Sequence, residues 1–426
     1  MNQAKEKIMK TVKSLAICFL AGFSWTIFFL VSNFILYSNK TKITLCLLGL
    51  LIFCHIPPLH AAEVVIAGFA FSGEFESAEK RFPYTYQLYE RIQSQTSAKK
   101  LSYLITQRTK EIRNPEITIP EDGLVNLGKS HQALMAALVL TGETIVTENY
   151  GSYYKTFVNL RANALIFDYK NQTVVSSYPI SIVLFDAIKE KPAPHRIASF
   201  VENIIRREDE NGLISQFVQR LETASIPKEG TRTIQIRKCV VKPEALSFLP
   251  ESLQKNPIVA EAILIDGFSS NLSSKLHVPI LPSTIGHING VMSLRLENGD
   301  DYTLNVGEGD YIFDLNLNKF AKLEISKNNI GTTYVYGAYM SVHFYEPALN
   351  TDFIKTDLKN GEVAIVPAGR ISTDDFAGYQ DALQGLFRNF SAAFQDPNFA
   401  WLRKAASEKN IKDQIKSAIE IIRKCK

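Results

Sequence analysis

The stretch Leu134–Ala187, LMAALVLTGETIVTENYGSYYKTFVNLRANALIFDYKNQTVVSSYPISIVLFDA, decides how the first half of this chain is read. Within it Thr156–Asp168 alternates. Val158, Leu160, Ala162, Ala164 and Ile166 fall on one side, and Asn159, Arg161 and Asn163 on the other. A period of two predicts a strand with one face on the core and a polar face toward water. Lys170-Asn171-Gln172 supplies a turn, and Thr173–Phe185 returns as a second strand. Pro179 cannot donate to a ladder, which predicts an edge position or a bulge. Upstream, HQALMAALVL between Ser130 and Gly142 has the layout of a capped helix that stops at a glycine. This half reads as scaffold, with any activity expected further along the chain.

The chain has 426 residues, with 47 basic and 43 acidic side chains. The basic excess belongs to the first 62 residues, which carry Lys5, Lys7, Lys10, Lys13, Lys40 and Lys42 against Glu6. The remainder is close to neutral, so nucleic-acid binding loses its usual electrostatic signature. Ser14–Tyr37 is apolar and long enough to span a bilayer as a helix. Residues 38–62 follow with a shorter apolar run, Pro57-Pro58 and LHAA, the order of a cleavable signal peptide. If both runs span, the body stays cytoplasmic behind a membrane anchor. If the second is a signal, the body is exported, with translation starting near Leu36. The sequence favours export to the periplasm or outer membrane, leaving membrane contact to the N-terminal segment.

Beyond the leader, the length suits about two domains, placed at 63–228 and 229–426. The first is expected to be a small α/β unit and the second a mainly antiparallel sheet with two C-terminal helices, so the fold class is α+β. In the second, Ala260, Leu264, Phe268 and Leu272 form one stripe of a helix over Pro257–Leu276. Hairpins are expected at Asn298-Gly299, at Asn360-Gly361 and between Tyr311–Leu317 and Phe320–Ile325. Ser372 and Asp375 are spaced as a capping box. Cys239 and Cys425, the two cysteines outside the leader, either pair across the second unit or stand as separate thiols.

The opening strand VVIAGFAF, the pattern AALVLTGETI and the run FVNLRANALIFDYKNQTVVSSYPI together resemble the α/β domain of the CsgG-like curli-secretion lipoproteins and the TolB amino-terminal group. The likeness covers residues 63–205. It implies an envelope protein that works by assembly rather than catalysis. The lipid-attachment cysteine of that group has no counterpart, since Phe53 precedes Cys54.

No spacing of His131, His195, His277, His287 or His343 matches a metal site, no glycine-rich phosphate loop occurs, and Ser72 lacks a nucleophile elbow. No catalytic residue, cofactor or metal is therefore assigned. Asp300, Asp301, Glu308 and Asp310 surround two turns and fit turn chemistry. Their alternative is the acid pair of an envelope hydrolase or carbohydrate-active enzyme, around Asp301 and Asp310. Tyr334, Tyr336, Tyr339 and Trp401 are the candidate interaction surface, for envelope proteins or a second copy, although aromatics also fill β cores. The leading expectation is an exported bacterial envelope protein, structural or accessory, without enzymatic activity.

Overall fold

Leu134–Asn149 is a strand, β3, and not the expected helix. The apolar run Leu134–Leu140 is buried on both faces, which removes the need for alternation. Leu134, Ala136, Leu138 and Leu140 face a layer of helices, while Met135, Ala137 and Val139 face a second core. Gly142 stops no helix. It follows a bulge in β3 and sits opposite Arg161.

The computed structural model describes residues 61–120, 133–228, 230–283, 290–368 and 375–426. The expected spanning segment, the signal segment up to residue 60, Ser130, His131, His287 and the Ser372 cap lie outside them, and β1 begins at Ala62, the last residue expected of the signal. Among the described residues no helix is long and apolar enough to cross a membrane. Ala61–Lys426 forms one unit, with the α+β architecture expected.

The first sheet runs β2-β1-β3-β4-β5-β8-β7, using β1 Ala62–Ser72, β2 Ile117–Thr118, β4 Tyr154–Asp168, β5 Thr173–Ile188, β7 Val291–Leu296 and β8 Asp301–Asn305. β1 is parallel to β3, and β3, β4 and β5 form the antiparallel meander. Two further contacts bend this sheet into a ring. Thr173 at the start of β5 meets Asn305 of β8, and Ala70–Ser72 of β1 pairs with Leu294–Leu296 of β7. The ring encloses Val65, Met135, Leu165, Phe167, Met292, Leu294 and Leu304. Its other face is covered by helices α1 Pro83–Gln93, α2 Leu101–Thr109, α3 Pro194–Arg206 and α4 Leu213–Glu222. Pro179 lies opposite Asn163 on the outer strand of the meander, whose edge away from β4 pairs, among the described residues, with β8 at Thr173 alone.

A division at 228/229 therefore does not separate the sheets, because the hairpin at Asn298-Gly299 belongs to the first. Gly299 adopts φ +99°, the conformation such a turn requires of it.

The second sheet runs β11-β10-β9-β6, from β6 Ile234–Val241, β9 Tyr311–Lys327, β10 Gly331–Glu346 and β11 Thr351–Pro367. Neither of the other two expected hairpins forms. In β9, Asn318 is taken up as a bulge between Leu317 and Lys319. In β11, Asn360 and Gly361 continue the strand, and Asn360 turns inward to donate to the Ala382 carbonyl at 3.0 Å. Helices α5 Pro257–Leu276, α6 Asp375–Ala393, α7 Ala400–Ala405 and α8 Ile411–Ile422 complete this layer. Its core also takes Val146 and Phe157 from the far ends of β3 and β4.

Candidate functional site

The polar side of β4 is not the solvated face its alternation predicts. Asn159, Arg161 and Asn163 are all buried. The face is covered by α5, which is apolar for most of its length but carries Asp266, Ser269 and Ser270. Asn159 donates to the Ser181 hydroxyl at 3.1 Å and to the Ile182 carbonyl at 3.2 Å. Arg220 of α4, also buried, donates to the Ser270 carbonyl at 3.3 Å, and burial lowers its pKa to about 10.

Arg161 is the unusual member. It is 6% exposed. Its Nη2 reaches the Thr144 hydroxyl at 3.5 Å, and its Nε lies 3.8 Å from Asp266 Oδ2. Neither Nε nor Nη1 has a hydrogen-bond partner among the described residues. Burial lowers the guanidinium pKa, against the pull of Asp266. Burial in turn raises the Asp266 carboxyl from 3.8 to about 6, and Arg161 opposes this. Only glycine at 142 permits the arrangement, since a Cβ there would lie 2.0 Å from Arg161 Nη2.

A cleft of about 260 Å³ opens beside Arg161, between the end of β1, the bulge of β3 and helix α5. Ser72, Thr141, Asn163 and Asp266 contribute to its wall, and a second cation does too. Arg81, from the turn Ala78–Arg81, donates through Nη2 to the Ser72 carbonyl and, at 3.0 Å, to the Ser72 hydroxyl. Gly73, at φ +73°, leaves the space that Arg81 Nη1 occupies; a Cβ would lie 1.9 Å away. Two arginines thus face one cleft, each against a glycine. Sequence reading missed this site because β3, β4 and α5 meet only in the fold. The available signal was the polar triplet Asn159, Arg161, Asn163 together with a lone carboxylate in an apolar helix.

The expected aromatic surface is not one surface. Tyr336 is buried, with its hydroxyl donating to Asp375 Oδ1 at 2.8 Å, beside Lys322 Nζ at 2.7 Å from the same oxygen. Tyr334 lies next to it, under the Lys322 ammonium at 4.2 Å. Tyr339 and Trp401 line a separate shallow groove, where Trp401 Nε1 donates to Asn360 Oδ1 at 2.9 Å.

Cys239 and Cys425 are both buried free thiols, so the alternative of a pair is not realised. Asp301 and Asp310 do not converge either. Asp301 pairs with Arg295 at 3.0 Å on the first sheet. Asp310 leads into β9 and takes hydrogen bonds from Thr233 and Arg232. Burial raises its pKa, but those bonds outweigh burial and the net direction is down, opposite to a general acid's requirement. Among the described residues no group of side chains is arranged to hold a metal ion.

No family model matches the chain, and no curated protein matches it. Among solved structures it is similar to the crystal structure described as that of a neuraminyllactose-binding hemagglutinin homolog from Helicobacter pylori. The two are 13% identical over 45% of this chain and 92% of that one, with a TM-score of 0.22. At that level the likeness carries no weight for fold or ligand.

Proposed function

We propose that this protein is an exported component of the bacterial cell envelope, structural or accessory to an envelope or secretion assembly, and not an enzyme. One observation carries the reading: the far end of the second sheet keeps an apolar face in solvent. Leu323 of β9 and Val363 of β11 flank Val335 in register and are each 65% exposed. Ile325, Ile365 and Ile330 extend the patch, with Ile365 at 66% and Ile330 at 79%. Contiguous apolar surface of this kind is typical of faces that meet another protein or a membrane. The leader and the resemblance of residues 63–205 to the CsgG-like and TolB amino-terminal domains support the same direction. So does the element order of that region, an opening strand, helices, then a three-stranded meander.

The test is fractionation of cells producing the native protein, with mass spectrometry of its amino terminus and of cross-linked partners. An exported, processed chain recovered in a complex, and released from it by Leu323→Ser with Val363→Ser, supports the reading. A cytoplasmic, unprocessed chain that cross-links to nothing ends it.

A further inference from the structure

We infer that the cleft between Arg81 and Arg161 binds a compact oxyanion, the phosphate or carboxylate group of a small soluble ligand. Arg161 has unmet donor capacity at Nε and Nη1 among the described residues. A guanidinium presents five N–H donors and no acceptor, and a buried donor without a partner costs about 1–3 kcal/mol. Asp266 does not satisfy it, since 3.8 Å from Nε is beyond hydrogen-bond reach.

Charge favours the same kind of ligand. Arg81 and Arg161 face the cleft against one carboxylate, Asp266, so its wall is cationic. Both cations are partly stripped of water, since burial lowers the Arg81 pKa first of all, with Glu74 opposing. Charge-assisted bonds to an oxyanion are strongest in such a setting. The backbone around the cleft is built to the same end. Bulk has been withheld from positions 73 and 142, where a side chain would displace one guanidinium or the other. Hydroxyl and amide groups of Ser72, Thr141 and Asn163 stand around the same space and can complete an oxyanion's shell. The volume, about 260 Å³, exceeds the roughly 30 Å³ share of one water several-fold. It is small for a drug-sized ligand, whose pockets begin at about 300 Å³.

The experiment is isothermal titration of the full chain with inorganic phosphate and with acetate, each against chloride at matched ionic strength. Saturable binding of phosphate or acetate is expected, weakened at least tenfold by Arg81→Gln and by Arg161→Gln. Arg161 is buried and its replacement can compromise folding, so Arg81→Gln and Asn163→Ala, checked by circular dichroism, carry the test independently. Heat no different from chloride, showing that the cleft holds only water, overturns the inference. Binding unchanged in folded Arg81→Gln overturns it as well, by placing the anion elsewhere.

Discussion

Glu297 holds Ser102 across the seam between the β7–β8 hairpin and helix α2: its Oε2 accepts from the Ser102 N–H at 2.7 Å, and its Oε1 from Leu101 at 3.0 Å. A carboxylate 195 positions away in sequence thus caps the first turn of a helix that Lys100, its N-cap residue, leaves uncapped. Glu297→Ala should destabilise the protein by about 1–3 kcal/mol, the cost of a lost cap and of buried donors left unmet. Glu297→Gln keeps one acceptor and should lose less. Urea denaturation decides it, and an alanine variant as stable as the parent would show the cap to be idle.

Asp266 should make stability depend on acidity. Its folded pKa, raised by burial to about 6, lies above the ordinary 3.8. Below the lower value the folded state enjoys the full benefit of a protonated carboxyl, and that benefit disappears as pH rises through about 6. The loss is on the order of 1–3 kcal/mol. Asp266→Asn should flatten this component, so its stability relative to the parent improves between pH 4.5 and pH 7. Parallel stability curves for the two proteins would refute the assignment.

Gly378 and Tyr336 are a packed pair. A Cβ on Gly378 would stand 2.5 Å from Cγ of the Tyr336 ring, so Gly378→Ala should cost about 1–3 kcal/mol by overpacking. Tyr336→Phe removes only the bond to Asp375 and should cost about 0.5–1.5 kcal/mol. Thermal denaturation of both variants gives the order, and the reverse order would mean the hydroxyl matters more than the ring's seat.

The two thiols should be inert in the native protein. Both are buried, burial is the main cause raising each pKa, and Cys425 reaches about 12. Since the thiolate is the nucleophile, iodoacetamide should label neither Cys239 nor Cys425 until the chain unfolds. Peptide mapping after a timed exposure checks this, and early labelling of either would contradict the packing.

How much of this could be read from the sequence depended on where each residue's partners lay. The apolar side of β4 was legible because Val158, Leu160 and Ala162 report only their own strand. Its polar side was not, because the helix that buries Arg161 begins at Pro257. Leu134–Leu140 was ambiguous in principle, since a strand buried on both faces has no alternation to show. Asn298-Gly299 behaved as its local chemistry dictates, while Asn360-Gly361 did not, because Asn360 is engaged by Trp401 and Ala382. The candidate site was illegible for the same reason: its arginines come from separate elements, and the glycines that admit them give no sign of which side chain they accommodate.

The bending of the first sheet into a ring also sets a timetable. The end of β1 at Ala70–Ser72 meets β7 only after roughly two hundred further residues have been made, a separation that slows closure. Until then the nascent first half presents a raw strand edge, the feature most prone to wrong pairings. A chain cut before Val291 therefore leaves that edge of β1 open, whereas one that extends past Asn305 carries the hairpin that covers it.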